Sequence, residues 1–348
     1  MIEKTTSALG NHDVEVITIS TGAGTAVLTN LGARLLELHL PDRNGKLADI
    51  VLQRPSLADL VDDDTYMGST AGRCANRIRG GELRIDGTDH QLSLNEGSHH
   101  LHGGTHGFDQ QIWADTSDGA DDEVTFSRVS PGGEEGYPGV LTTDVTYRFD
   151  GASLSIQIRA TTDASTVVNI VNHSYFNLAG HESGDVLGHL LQVHGSYYTP
   201  VDAELLPTGE IRAVAGTPYD FREPTAIGAR IHDVVNAAAG RVSSGDVGYD
   251  HNWVLAGTGM REVVRVSDPG SGRTMTLSAD QPGVQIYTGG YLADVSAKAP
   301  AGKYAAFAGF TLETQTFPDA VHHSHFPQRV LHPGETYLHR MRFDFTTA

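Results

Sequence analysis

Hydrophobic and polar residues alternate one for one in stretch after stretch of this chain, as in Val14–Ser20, Ser153–Ala160, Arg273–Ala279 and Thr336–Phe345. A period of two sends successive side chains to opposite faces of a strand, so each stretch predicts a β-strand with one face in a core. Glycine pairs such as Asn44-Gly45, Asp86-Gly87, Gly132-Gly133 and Asp150-Gly151 punctuate the stretches. They supply the left-handed backbone that tight turns need. Asp86-Gly87, between Leu83-Arg84-Ile85 and the stretch ending Gln91-Leu92-Ser93-Leu94, predicts a hairpin. Helical pattern is confined to Pro55–Asp62 and Thr225–Val234, too little for a helical layer. Many half-buried strands joined by short turns predict an all-β fold of packed antiparallel sheets, a sandwich. No repeat or Pro-rich linker divides the chain, and the Gly/Ser-rich stretch Ala239–Gly248 reads as a loop, so one domain over residues 1–348 is expected.

Composition narrows the partners. With 39% hydrophobic and 19% charged residues the chain lies within the range that folds. Lys and Arg number 24 against 43 Asp and Glu, a formal charge of -19 spread along the sequence. Such a field repels phosphate backbones and anionic membranes, which argues against a nucleic-acid or membrane partner and favours a neutral ligand. Cys74 is the sole cysteine, so an intrachain disulfide and a multi-cysteine zinc site are excluded and a reducing, cytoplasmic setting is expected. The first residues, Met1 to Thr6, lack the basic-then-apolar pattern of a signal peptide, and no apolar run is long enough to predict a membrane span.

Polar clusters embedded in the strand-like sequence carry the chemistry, because burying such side chains is costly unless they meet partners or a ligand. They are Gly72-Arg73-Cys74-Ala75-Asn76-Arg77, His99-His100-Leu101-His102-Gly103-Gly104, Asn172 to Asn177, Gly248-Tyr249-Asp250-His251-Asn252, and Leu312-Glu313-Thr314-Gln315. Taken singly, each serves structure more often than function. Glu313 differs, since a carboxylate beside Leu312 and Phe310 must be paired, hydrogen-bonded or functional. His100 and His102 would share one face of a strand and could grip a metal, but no third ligand follows at short spacing. His322-His323-Ser324-His325, between Pro318 and Pro327, reads as a solvated loop. Gly22-Ala23-Gly24 and Gly103-Gly104 lack the strand-to-helix setting of a phosphate loop. Ser174 beside His173 is no nucleophile pair, as neighbouring strand positions face opposite ways.

Taken together and in order, these clusters resemble the aldose 1-epimerase family, the galactose mutarotases. The resemblance runs from about Leu31-Gly32-Ala33 to Pro333-Gly334-Glu335-Thr336-Tyr337. It includes Asn76-Arg77-Ile78, Leu101-His102-Gly103-Gly104, Glu135-Gly136-Tyr137-Pro138-Gly139, Asn172-His173-Ser174-Tyr175-Phe176-Asn177-Leu178, Thr199-Pro200-Val201-Asp202, Pro207-Thr208-Gly209, Pro282-Gly283-Val284-Gln285 and Leu312-Glu313-Thr314-Gln315. It implies a large twisted β-sandwich with a sugar cleft on one sheet, an isomerase acting on a free aldose such as galactose or glucose, His173 as general acid and Glu313 as general base. It places Asn76, Arg77, His102, Asp250 and Gln285 around the sugar hydroxyls, with Tyr175 nearby. Thr316 and Gly290 stand where the family pattern leads one to expect His and Asn, which bears on substrate preference.

Interconverting anomers requires a proton to leave the C1 hydroxyl while another reaches the ring oxygen, so two proton-transfer groups suffice and neither cofactor nor metal is implied. At reference pKa values of ~4.3 and ~6.5 the pair would be ionised Glu313 and protonated His173, with Asp250 expected to favour the imidazolium. Three alternatives stay open: a glycoside hydrolase using Glu313 and Asp250, a hexose 6-phosphate 1-epimerase, which would need further cationic residues, and a non-catalytic sugar-binding module of the same fold.

Overall fold

The structure is a computed structural model and describes all residues except 62, 121, 235–247 and 328–329. The four alternating stretches form the strands His12–Ser20, Ser153–Thr162, Arg273–Ala279 and Tyr337–Thr347, each within two residues of its predicted bounds. The hairpin forms as expected: Glu82–Ile85 pairs with Thr88–Gln91, and Asp86 and Gly87 both take positive φ, 49° and 82°. Neither helical stretch becomes an α-helix. Leu57–Leu60 and Ile227–Asp233 are 3-10 turns, the second broken where Arg230 leaves helical geometry. Of the loop predicted at Ala239–Gly248, all but Gly248 lies outside the described residues.

A nine-stranded antiparallel sheet carries Ala114–Asp115, Glu123–Ser130, Leu141–Asp150, Ser153–Thr162, Tyr337–Thr347, Arg273–Ala279, Arg261–Ser267, Leu190–Val193 and Thr225–Ala226, in that spatial order. Opposite it lies a six-stranded antiparallel sheet in the order Tyr175–Phe176, Phe310–Gln315, Gly283–Tyr287, Asp250–Val254, Tyr197–Thr199 and Arg212–Ala213. A five-stranded meander, Ile2 to Asp49, contributes Ile17, Leu28, Leu35 and Leu38 to the same core. Phe176 of one sheet meets Phe343 of the other with ring centroids 5.4 Å apart. The Thr314 hydroxyl lies 2.7 Å from His339 Nε2 across the same interface.

The alternation in the six-stranded sheet sets up the site. Trp253, Val284, Ile286, Phe310, Leu312 and Phe176 turn inward and are buried in the core. Each such side chain contributes roughly 1.5–3 kcal/mol relative to exposure. That burial offsets the cost of the opposite face, where the alternate positions Asp250, Asn252, Gln285, Tyr287, Thr311 and Glu313 put polar groups side by side. Among the described residues no helix is long and apolar enough to cross a membrane.

Candidate active site

Strand register aligns Asp250, Tyr287 and Thr311 in one row and Asn252, Gln285 and Glu313 in the next, with Tyr175 opposite Thr311. Directly opposed residues share a face, so the row of polar groups is continuous across the sheet. Above it opens a cavity of about 360 Å³, at the small end of the ~300–1,000 Å³ usual for small-molecule sites. Seven of the eight residues singled out from sequence, Asn76, Arg77, His102, His173, Tyr175, Asp250 and Glu313, line it. Gln285 does not. Its Nε2 donates to Asp250 Oδ1 at 2.7 Å, so it stands behind the carboxylate and holds it. Tyr175 lines the wall, but its hydroxyl donates to the Thr65 carbonyl at 3.1 Å.

The far wall comes from two loops joined by the short ladder Arg77–Ile78 with His100–Leu101. Asn76 and His102 both have positive φ, 60° and 51°, which swings their side chains out of strand geometry. The Asn76 carbonyl accepts the His102 N–H at 3.1 Å, and the Asn76 N–H donates to His102 Nδ1 at 3.3 Å. An accepting Nδ1 leaves the proton on Nε2, so neutral His102 is a hydrogen-bond donor there. Gly103, at φ 99°, is required here, because a Cβ would lie 1.7 Å from the Gly72 carbonyl oxygen. The left-handed turn at His102 also overturns the expectation that His100 and His102 share a strand face. His100 instead bonds the Ser93 carbonyl at 2.7 Å and the Tyr137 hydroxyl at 2.6 Å, a structural role. Ligating atoms of His102, His173 and Glu313 do lie within 4.8 Å of one another, yet the tautomer of His102 puts a proton where a metal would need a lone pair.

His173 Nε2 and Glu313 Oε1 are 3.6 Å apart, and both residues are buried. Glu313 Oε1 accepts the Thr311 hydroxyl at 3.0 Å, while Oε2 and His173 Nδ1 have no hydrogen-bond partner. Burial pushes Glu313 up to about 8, with the Asp250 charge adding to the rise and Thr311 and Arg77 opposing it. Burial also pushes His173 down to about 4. The expected order of protonation is therefore reversed in the open cleft: the neutral imidazole and the protonated carboxyl are favoured. Reference values omit desolvation, which penalises both charged forms, and Asp250 acts on Glu313 rather than raising His173.

Residues that sequence reasoning passed over complete the walls. Tyr66 packs against His102 and His173, with centroids 4.6 and 5.9 Å away. Glu96 takes the Arg77 guanidinium through two contacts of 3.3 Å. Tyr287 and Tyr291 face the cavity as well. Tyr287 was detectable as the position two residues beyond Gln285 on one strand face, whereas Tyr66 and Glu96 sit in loops without periodicity. Of the two departures from the family pattern, Thr316 is buried outside the cavity with its hydroxyl given to the Pro327 carbonyl. Gly290 opens the turn Gly290–Leu292, which carries Tyr291 and Leu292 to the cavity wall.

A model of the aldose 1-epimerase family matches residues 15–344. The chain belongs to the aldose 1-epimerase family. It is 40% identical over 343 residues to a galactose mutarotase of Bos taurus, covering 98% of this chain and 96% of the relative. It is 41% identical over 320 residues to a galactose mutarotase of Homo sapiens, covering 91% and 90%. A crystal structure of a GalM/aldose epimerase homologue from C. elegans superimposes with a TM-score of 0.86 at 29% identity, covering 96% of this chain and 99% of that one.

Proposed function

We propose that this chain interconverts the α and β anomers of a free hexose, galactose or glucose in type, with His173 and Glu313 moving the protons. The observation that carries the reading is the facing pair, His173 Nε2 and Glu313 Oε1 at 3.6 Å, on two residues that both line the cavity. Glu313 takes the C1 hydroxyl proton, His173 gives one to the ring oxygen, and the C1–O5 bond opens to the aldehyde. Rotation about C1–C2 and reclosure with the roles exchanged gives the other anomer. The pair needs one proton in total, and its state in the open cleft has one, on Glu313. Sugar hydroxyls donating to the carboxylate and a ring oxygen accepting from the imidazolium favour moving it to His173. Arg77, the Asn76 amide, His102 Nε2–H and Asp250 are suited to the remaining hydroxyls, with Gln285 bracing Asp250.

The cavity favours a neutral sugar over a phosphorylated one. Among the described residues lining it, Arg77 is the only Lys or Arg, and it already engages Glu96, while Asp64 and Asp250 add negative charge. A phosphate dianion there would lack a matched cation. Polarimetry on freshly dissolved α-D-galactose, α-D-glucose and glucose 6-phosphate tests both statements. Accelerated mutarotation of a free hexose with little effect on the phosphate is expected; an unaltered spontaneous rate for every free sugar would refute the assignment.

A pH profile is a second check. The one-proton state of the pair spans the interval between about 4 and about 8. Below it both groups hold protons and no base remains, and above it neither does and no acid remains. The profile of kcat/KM is therefore expected to be bell-shaped with limbs belonging to the pair as a whole. Limbs near the reference ~4.3 and ~6.5 would show that the cleft does not desolvate the pair.

A further inference from the structure

Thr311 lies two residues before Glu313 on the same strand face and is completely buried. Its hydroxyl is 3.0 Å from Glu313 Oε1, and no other side-chain hydroxyl of the protein is hydrogen-bonded to this carboxylate among the described residues. The two carboxylate oxygens are thereby made unequal: Oε1 carries a protein donor and faces His173 Nε2, and Oε2 has no partner.

We propose that Thr311 is a positioning residue for the anomerisation, holding the Glu313 carboxylate by Oε1 in the orientation from which it takes the C1 hydroxyl proton. This rests on the reading of Glu313 as the base. Thr311 keeps its own proton throughout; the proton in transit moves between substrate O1 and the Glu313 carboxylate. Two consequences follow from the bond. The carboxylate is fixed about its terminal torsion, which is otherwise broad, so the accepting lone pair is held in reach of the sugar. The hydroxyl also favours the ionised carboxylate in a cleft that disfavours it. The other charged or titratable groups set around Glu313 are His173 and His102, Arg77, Asp250, Tyr175 and Tyr287. Of these, Arg77 supports the ionised form and Asp250 opposes it.

Thr311→Val keeps the shape and removes the donor. The expected result is a fall of ~10-fold in kcat, corresponding to ~1.4 kcal/mol, the scale of one hydrogen bond to a charged group. KM should change less than kcat, because Thr311 is not among the residues lining the cavity. The alkaline limb of the kcat/KM profile should move to higher pH, since losing the donor makes Glu313 hold its proton more tightly. Thr311→Ser, which restores the hydroxyl, should restore both rate and limb. If Thr311→Val does not fold, Thr311→Ala removes the same bond and carries the same expectation. Wild-type kcat and an unmoved limb in the folded Val or Ala variant would overturn the proposal, as would a Ser variant as impaired as the Val variant. Glu313→Gln measured alongside separates the two levels. An inactive Gln variant with an unaffected Val variant refutes the role of Thr311 alone, and an active Gln variant refutes the base.

Discussion

Glu313→Gln is expected to slow anomerisation of α-D-galactose by ~10²–10⁴-fold, the range associated with losing a positioned base, while the protein stays folded and gains stability at pH 8. The amide nearly matches the carboxylate in shape and can still accept the Thr311 hydroxyl, so packing in the strand Phe310–Gln315 is preserved. What disappears is the capacity to take a proton. The stability change follows from linkage. The folded-state pKa of Glu313 is raised from 4.5 to about 8, so over that interval the native state binds a proton that the unfolded chain has released. Stability supplied by the raised group is complete below the unfolded value and is lost as pH rises through the folded one. A glutamine titrates nowhere and escapes that loss. Polarimetric rates and thermal melts at pH 5 and pH 8 test both halves. Near wild-type mutarotation would remove Glu313 from the mechanism, and a lower melting temperature at pH 8 would show that the carboxylate is not held at a desolvation cost.

His173→Asn should reduce the rate by a comparable ~10²–10⁴-fold. His102 is the nearest substitute, with its ring centroid 5.1 Å from that of His173. It cannot take over readily, because its Nδ1 accepts the Asn76 N–H and a second ring proton would break that bond. His102 can donate a hydrogen bond to a sugar hydroxyl without carrying the transferred proton. The linkage sign is opposite to that of Glu313. The folded pKa of His173 is lowered from 6.5 to about 4, so its contribution is present above the unfolded value and is lost as pH falls toward the folded one. The Asn variant should therefore lose less stability than wild type between pH 6.5 and pH 4. Because acid and base act on one bond, the double variant should be little slower than either single one. Additive losses in the double variant, or a His173→Asn enzyme of near wild-type rate, would place the acid elsewhere.

Much of the fold was readable from local pattern. The strand Arg273–Ala279 was predicted with the bounds observed, and the Asp86-Gly87 turn followed from a backbone demand that few residue pairs meet. The two helical stretches failed because a short amphipathic segment does not distinguish an α-helix from a 3-10 turn. Ile227 and Ile231 are buried in either case. Glu313 was flagged by the cost of a carboxylate in an apolar strand, a property that travels with the sequence. His173 had no comparable local signal, and its pairing with Glu313 came from the family resemblance.

Hydrophobic alternation by itself determined that the chain forms strands with one buried face, since the two-residue period follows from backbone geometry at each position. Composition separately argued for a neutral ligand. Only the tertiary structure decided which polar positions meet. Residues as distant as Arg77, His173, Asp250 and Glu313 share one cavity because sheet register and two left-handed turns bring them there. It also decided that Gln285 stands behind Asp250, that His100 turns away from the cavity, and that burial pushes Glu313 up and His173 down. That last point lies beyond sequence because desolvation depends on everything packed around a group, and reference pKa values describe a group surrounded by water.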